Sequence, residues 1–268
     1  MKVCIWGNLT GAFTGKTAGG GEKQMALIAI ALTKAGHEVV VLDFNANKNF
    51  VTPDGVKVVK IEGWNKGIRI IRTITHRLPL LYSSLKKEKA DIYYSRLRDF
   101  RHILSFFAAR KVKGKFVMGI ASDLDVMSFG MRLKYYYLVN IGRLWWLFSG
   151  ILIEIIYPFL LRRSDIIMVQ HEGQRDLLLK KRIDSVIFHN LIDESELPSV
   201  EVSKPEGYVY VGAIDKRKGF AEFFELVCKT PFLNYKVIGR ARDKTGQYYL
   251  EKLKRIKNVS LLGRLNHA

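Results

Sequence analysis

Hydrophobic positions along the chain fall into short runs, separated by longer stretches where they recur every three or four residues. "KVCIWG" (2–7), "HEVVVLDF" (37–44), "VKVVKIEG" (56–63), "DIYYS" (91–95), "GKFVMGIAS" (114–122), "DIIMVQ" (165–170) and "SVIFHN" (185–190) have strand length. Between them, "EKQMALIAIALTKAG" has helical spacing and closes on Gly36. Residues 66–89, 99–112 and 133–163 are expected to be helical as well. Strands that alternate with helices predict parallel βαβ units and a doubly wound α/β sheet.

The pattern breaks at "DESELPSVEVSKPE" (193–206), which is acidic, polar and holds two prolines, and reads as a linker. Beyond it "GYVYVGAIDKRKG", "NYKVIG" and "NVSLLG" supply three strands with two helices between them. The expected organisation is a domain over 1–192, the linker, and the first part of a second domain over 207–268. So short a module is expected to leave an open sheet edge over a thin core.

Composition narrows the class. The 268 residues are 48% hydrophobic and 26% charged, as in a globular protein. Cys4 and Cys228 sit far apart in apolar runs and read as buried thiols, not a disulfide framework. The N-terminus lacks the apolar region of a secretory signal, so a cytoplasmic protein is expected. The net charge is +19, and residues 63–115 hold fourteen Lys/Arg against three Asp/Glu. Such a surface suits an anionic membrane or a phosphorylated substrate. Nucleic acid is disfavoured because no finger spacing or aromatic RNA-binding signature accompanies the charge. The apolar run "LWWLFSGILIEIIYPFLL" approaches a membrane span, but Glu154 and Pro158 interrupt it. A packed core helix is the preferred reading, ahead of a monolayer-dipping face and a transmembrane helix.

Two phosphate-binding signatures share "GNLTGAFTGKTAGGGEKQ" (7–24). Gly15-Lys16-Thr17 ends like a nucleotide-hydrolase P-loop. That loop needs glycine where Thr10 stands, and "AGGG" opens a helix poorly after Thr17. Gly19-Gly20-Gly21-Glu22 is better placed, because it directly opens the first strong helix. There glycines let a ligand approach the backbone, and the helix terminus offers unpaired N–H groups to a diphosphate.

The order of these pieces resembles the retaining, two-domain glycosyltransferases of family 4. "GGGEKQMALIAIALTKAGHEVVVLDF" is similar to that family's opening. "HNLID" resembles its Asn-containing turn toward the hinge, and "YVYVGAIDKRKGF" its first C-domain strand and Lys-Gly turn. "VIGRARD" and "NVSLLGRL" fall where the family has its next two strands. The resemblance implies a GT-B-type fold of two Rossmann-like domains, the second incomplete at its C-terminal side. It implies transfer of a sugar from a nucleotide-diphosphate sugar to a glycan or lipid-linked acceptor, with retention and no required metal or other cofactor. Cell-surface polysaccharide or glycolipid synthesis is the implied setting, peripheral at the inner face of the membrane.

By the same resemblance, Lys218 binds the diphosphate, with Arg217 beside it and Gly212 ending the preceding strand. Many members carry an arginine after that glycine; here the position is Ala213. Gly19, Gly20 and Gly21 join the donor site. Asp123, in "IASDLDV", follows a strand at the end where open α/β sheets gather ligands, and is the candidate catalytic residue. The family often has a histidine in this loop, and here it has none. Asp-Leu-Asp also matches the metal motif of the other glycosyltransferase class, whose single-domain architecture does not fit. A capping role for Asp123 competes with the functional one. Arg96, ending "DIYYSR", is the candidate acceptor contact, against an ordinary surface arginine. His37, His76, His102, His171 and His189 lack metal-ligand spacing and read as surface or strand-end residues. The rival functions are a non-catalytic glycan- or membrane-binding module and a P-loop NTPase using Lys16.

Overall fold

A computed structural model describes residues 1–15, 19–69, 71–132, 144–193, 207–215 and 218–265. The chain divides into two compact units, Met1–Glu194 and Ser195–Ala268. Of the expected linker, 194–206 lies outside the described residues, as do Lys16, Thr17, the segment 133–143 and Arg217.

The first unit runs β1 (Lys2–Gly7), α1 (Thr10–Phe13), α2 (Gly20–Lys34), β2 (Glu38–Asp43), β3 (Phe50–Val51) and β4 (Lys57–Lys60). A π-helical turn, Thr73–Arg77, leads into α3 (Leu78–Glu88), then β5 (Ile92–Arg96), α4 (His102–Lys111) and β6 (Lys115–Gly119). It continues through α5 (Asp123–Val126), α6 (Phe129–Arg132), α7 (Leu144–Arg163), β7 (Ile166–Val169), α8 (Glu172–Leu179) and β8 (Val186–Ile187). The eight strands are ordered β3-β4-β2-β1-β5-β6-β7-β8, all parallel except β3 against β4.

Both faces of this sheet are covered, which is why its strands are nearly continuous apolar runs. In β1, Cys4 and Trp6 enter one core with Leu81 and Leu85 of α3, Phe106 of α4 and Leu160 of α7. Val3 and Ile5 alternate into the opposite core with Met25, Ile28 and Ala29 of α2.

Three expectations need correction. Helix does not begin at 66: residues 66–69 lie outside any helix, with Gly67 at φ 84°, and the first helical element of this stretch is the π-helical turn from Thr73. The strand expected over 185–190 is only Val186–Ile187 at the sheet edge. Cys228, expected to be a buried thiol like Cys4, is exposed, and the short antiparallel β3 was not expected at all.

The apolar helix α7 packs into the core through Tyr157, Leu160 and Leu161. Glu154 accepts from Arg98 Nη2 and from Arg132, whose Nε lies 3.0 Å from Oε1. The acid that breaks the apolar run is therefore held by a partly buried ionic cluster, not set in lipid. Among the described residues, no helix is long and apolar enough to cross a membrane.

The second unit comprises β9 (Tyr208–Val211), α9 (Phe220–Lys229), β10 (Tyr235–Ile238), α10 (Lys244–Leu253) and β11 (Val259–Gly263). Its described strands form a parallel sheet ordered β11-β10-β9. Ile214, Phe220, Val227, Tyr235, Val237 and Leu253 are its buried apolar residues. Tyr208, Val209 and Val211 of β9 are exposed.

Candidate functional site

In the eight-stranded sheet, connections wind one way from β1 toward β2 and the other way from β5 toward β6. The point of reversal lies between β1 and β5, and open α/β sheets hold ligands beyond the strand C-termini at this point. The glycine run after β1 and Arg96 at the end of β5 both belong to it.

Gly19 is the N-cap of the fifteen-residue α2, with extended backbone (φ −77°, ψ 162°), and Glu22 sits in the first turn. The opening N–H groups of such a helix have no intrahelical acceptor. A Cβ on Gly21 would stand 2.5 Å from Leu97 Cδ2, so a glycine lets the helix start press against the residue that follows β5. Leu97 itself has φ 77°. For a bulky non-glycine residue this is strained backbone, costing on the order of 1–3 kcal/mol, and such strain gathers at functional sites.

Arg96 is no surface arginine: it is 4% exposed. Its Nη2 donates to Asn190 Oδ1 at 2.9 Å, while Leu191 exchanges hydrogen bonds of 2.8 Å with the Gln24 side chain. The "HNLID" turn thereby joins the end of β5 to α2. Beneath it, His102 Nε2 lies 3.1 Å from the Arg96 carbonyl oxygen, which can only accept, so Nε2 carries the proton. Burial pushes the His102 pKa down, against the pull of Asp99. Trp6 Nε1, Tyr94 Oη, Ser95 Oγ, Arg96 Nε and His102 Nδ1 are buried without a hydrogen-bond partner. Native proteins leave few such atoms, and these five lie on or beside the C-terminal ends of β1 and β5.

One strand further, Asp123 and Asp125 occupy the single turn α5. Asp125 is buried, and its Oδ2 accepts from the Ala121 and Ser122 N–H groups at 3.0 Å, so it closes the turn. Burial raises its pKa, against those hydrogen bonds. Asp123 is exposed, and its Oδ1 accepts from His171 Nε2 at 3.0 Å and Gln174 Nε2 at 2.9 Å. The two carboxylates thus serve different partners. With Nε2 donating to Asp123, a lone pair on the other ring nitrogen, Nδ1, is what would let His171 act as a proton acceptor. Sequence reasoning set His171 aside as an ordinary histidine. The clue was its place after "DIIMVQ", the run neighbouring the one that precedes Asp123. Among the described residues, no group of three or more His, Cys, Asp and Glu could hold a metal ion.

In the second unit, Gly212 follows β9, and Tyr210 Oη donates to the Ala213 carbonyl at 2.9 Å. Lys218 N donates to Asp215 Oδ1 at 3.2 Å, tightening the turn before α9. Gly219, with φ 66°, is the N-cap of α9, a left-handed position that favours glycine. The Lys218 side chain is exposed at that helix start, and its ammonium makes no ion pair with a carboxylate among the described residues.

No protein-family model matches the chain, and no curated protein matches it in sequence. Solved structures do share its fold. WaaG, a glycosyltransferase involved in lipopolysaccharide biosynthesis, aligns with a TM-score of 0.62 at 15% identity, over 98% of this chain and 70% of that one. A glycosyltransferase from Rickettsia africae ESF-5 gives 0.55 at 13%, over 99% and 69%. UDP-GlcNAc 2-epimerase from Neisseria meningitidis, bound to UDP-GlcNAc, gives 0.54 at 12%, over 100% and 73%. The fold is α/β of the GT-B type.

Proposed function

We propose that the protein is a glycosyltransferase that moves a sugar from a nucleotide-diphosphate donor to a glycan or lipid-linked acceptor with retention of configuration. The observation that carries this reading is the site at the reversal of the large sheet. A glycine-opened helix start, a buried arginine and a run of buried, unpartnered polar atoms meet there on a GT-B-type fold. Retention is supported by the resemblance of residues 19–44 and 208–220 to the retaining family.

In this reading Gly19, Gly20 and Gly21 present backbone N–H groups to the donor diphosphate. Lys218, with Arg217 and the backbone near Gly212, stabilises charge on the departing nucleotide, so no metal is assigned that role. Arg96 orients an anionic or hydroxyl-rich acceptor. Asp123 holds His171, whose Nδ1 takes the proton of an acceptor hydroxyl that attacks from the face the diphosphate leaves, as retention without an enzyme nucleophile requires.

Incubating the protein with a panel of nucleotide sugars and glycan or lipid-linked acceptors tests the reading. Acceptor-dependent release of nucleoside diphosphate, with a product whose anomeric configuration by NMR matches the donor, is expected. Release of diphosphate with inverted product removes retention alone. An epimerised sugar formed without acceptor would replace transfer by the epimerase chemistry that one fold neighbour performs. Binding of donor without turnover would favour a non-catalytic module.

A further inference from the structure

Arg96 and the Asp123–His171 pair are joined by an unbroken run of hydrogen bonds. Arg96 Nη2 donates to Asn190 Oδ1 at 2.9 Å, and Asn190 Nδ2 lies 3.4 Å from Gln170 Oε1. Gln170 Nε2 donates to the Ile120 carbonyl at 3.0 Å, while the Gln170 backbone N–H donates to Gln174 Oε1 at 2.9 Å. Gln174 Nε2 and His171 Nε2 then share Asp123 Oδ1, at 2.9 Å and 3.0 Å. The run spans the C-terminal ends of β5, β6, β7 and β8, all within the first unit.

The direction of each bond is forced. A guanidinium only donates and a main-chain carbonyl only accepts, so Arg96 fixes Oδ1 of Asn190 and Ile120 fixes Nε2 of Gln170. Asn190 Nδ2 is left facing Gln170 Oε1. The Gln170 N–H likewise fixes Oε1 of Gln174, which leaves Nε2 for the Asp123 carboxylate. Flipping either glutamine amide would break both of its bonds, and Gln174 is 1% exposed, so its loss would not be made good by solvent. A Cβ on Gly173 would stand 3.2 Å from His171 Nδ1, so the glycine leaves that nitrogen uncrowded.

The geometry points to Gln170 and Gln174 as positioning residues, a bridge that sets Asp123 and His171 from the Arg96 side of the site. Gln174 holds Asp123 Oδ1 where it accepts from His171 Nε2, and a neutral ring held this way keeps Nδ1 for the acceptor proton. Gln170 ties that setting through Asn190 to Arg96. The next residue, Leu191, exchanges hydrogen bonds with Gln24 of α2, so the helix start at Gly19 is held in the same register. The catalytic consequence rests on the transferase reading; the tautomer of His171 does not.

Nitrogen NMR of isotope-labelled histidine rings in the full chain reads that tautomer without substrate, in alkaline buffer, with His171 assigned by its loss in His171→Gln. A single tautomer protonated on Nε2 is expected in the wild type. Gln174→Met, which keeps length but loses both bonds, should give a mixture, and Asn190→Ala should move the same signals part of the way. An unchanged tautomer in Gln174→Met would overturn the assignment, and His171 signals unmoved in Asn190→Ala would overturn the link to Arg96. Should Gln174→Met not fold, Asn190→Ala, a change at an exposed residue, decides alone. With a donor and acceptor that turn over, Gln174→Met should lower kcat about tenfold and leave the donor KM unchanged. In a His171→Gln background the same change should have no further effect. A purely structural role lowers both backgrounds alike, and that result would overturn the proposal. If the wild type transfers no sugar, the transferase reading fails and the tautomer still decides the bridge.

Discussion

His171 Nε2 stands 3.0 Å from Asp123 Oδ1, although forty-eight residues separate them in the chain. The two follow adjacent parallel strands, β7 and β6, so the register of the sheet brings their side chains to one edge. If the pair takes the acceptor proton, His171→Gln should lower transfer on the order of 100-fold and leave donor affinity unchanged. Asp123→Asn should act in the same direction by loosening the ring. Steady-state rates and donor titration check this. Wild-type turnover in both variants would leave Asp123 as a structural link from α5 to His171 and Gln174 and nothing more.

Lys218 presents a second, separable prediction. Its exposed ammonium at the start of α9 has no protein carboxylate to answer among the described residues. Lys218→Ala should weaken binding of a nucleoside diphosphate by about 1.5–3 kcal/mol, the range for a hydrogen bond to a charged group. Calorimetry with the diphosphate alone is the measurement. Unchanged affinity would make the Lys-Gly turn an ordinary solvated one.

Much of this was legible in the sequence because the strands are buried on both faces. Continuous apolar runs such as "KVCIWG" and "HEVVVLDF" have few other solutions once helices alternate with them. β3 was not legible, since two residues carry no period; Thr52 Oγ1, accepting from Val56 N at 3.0 Å, shapes the turn that sets it beside β4. Arg96 was placed correctly at a strand end, yet its burial was not readable, because that depends on Asn190 arriving from far along the chain. His171 was missed for the same reason. Spacing searches look within a segment, whereas a parallel sheet collects residues from several crossovers.

The second unit should be the easier to unfold. Its core is small, its strand β9 exposes Tyr208, Val209 and Val211, and Phe220 stacks edge-on against Tyr210 with centroids 4.8 Å apart. Phe220→Ala should cost about 3–5 kcal/mol. Hydrogen exchange should therefore be faster over β9–β11 than over β1 and β6 in the wild type, and the variant should widen that gap without changing β1. Uniform slowing or quickening across both units would show that they unfold together.

The last prediction concerns acid. Asp165 sits between α7 and β7 and ties three elements together: its Oδ2 accepts from Phe116 N at 2.8 Å and meets Arg110 Nη1 at 2.8 Å, and its Oδ1 lies 3.4 Å from Lys115 Nζ. Burial alone would raise its pKa, but the Phe116 hydrogen bond and the Arg110 charge outweigh it, and the carboxyl is held below its usual range. The folded state therefore binds the proton less readily than the unfolded one. Stability from this group is complete above the unfolded value of about 3.9 and is lost as pH falls through the lower folded value. Asp165→Ala should destabilise the first unit by about 1.5–3 kcal/mol at neutral pH. Denaturation midpoints followed from pH 7 down to about 2 should show the two proteins converging only below the ordinary carboxylate range. A difference that stays constant across that span would mean that Asp165 acts through packing and not through its charge.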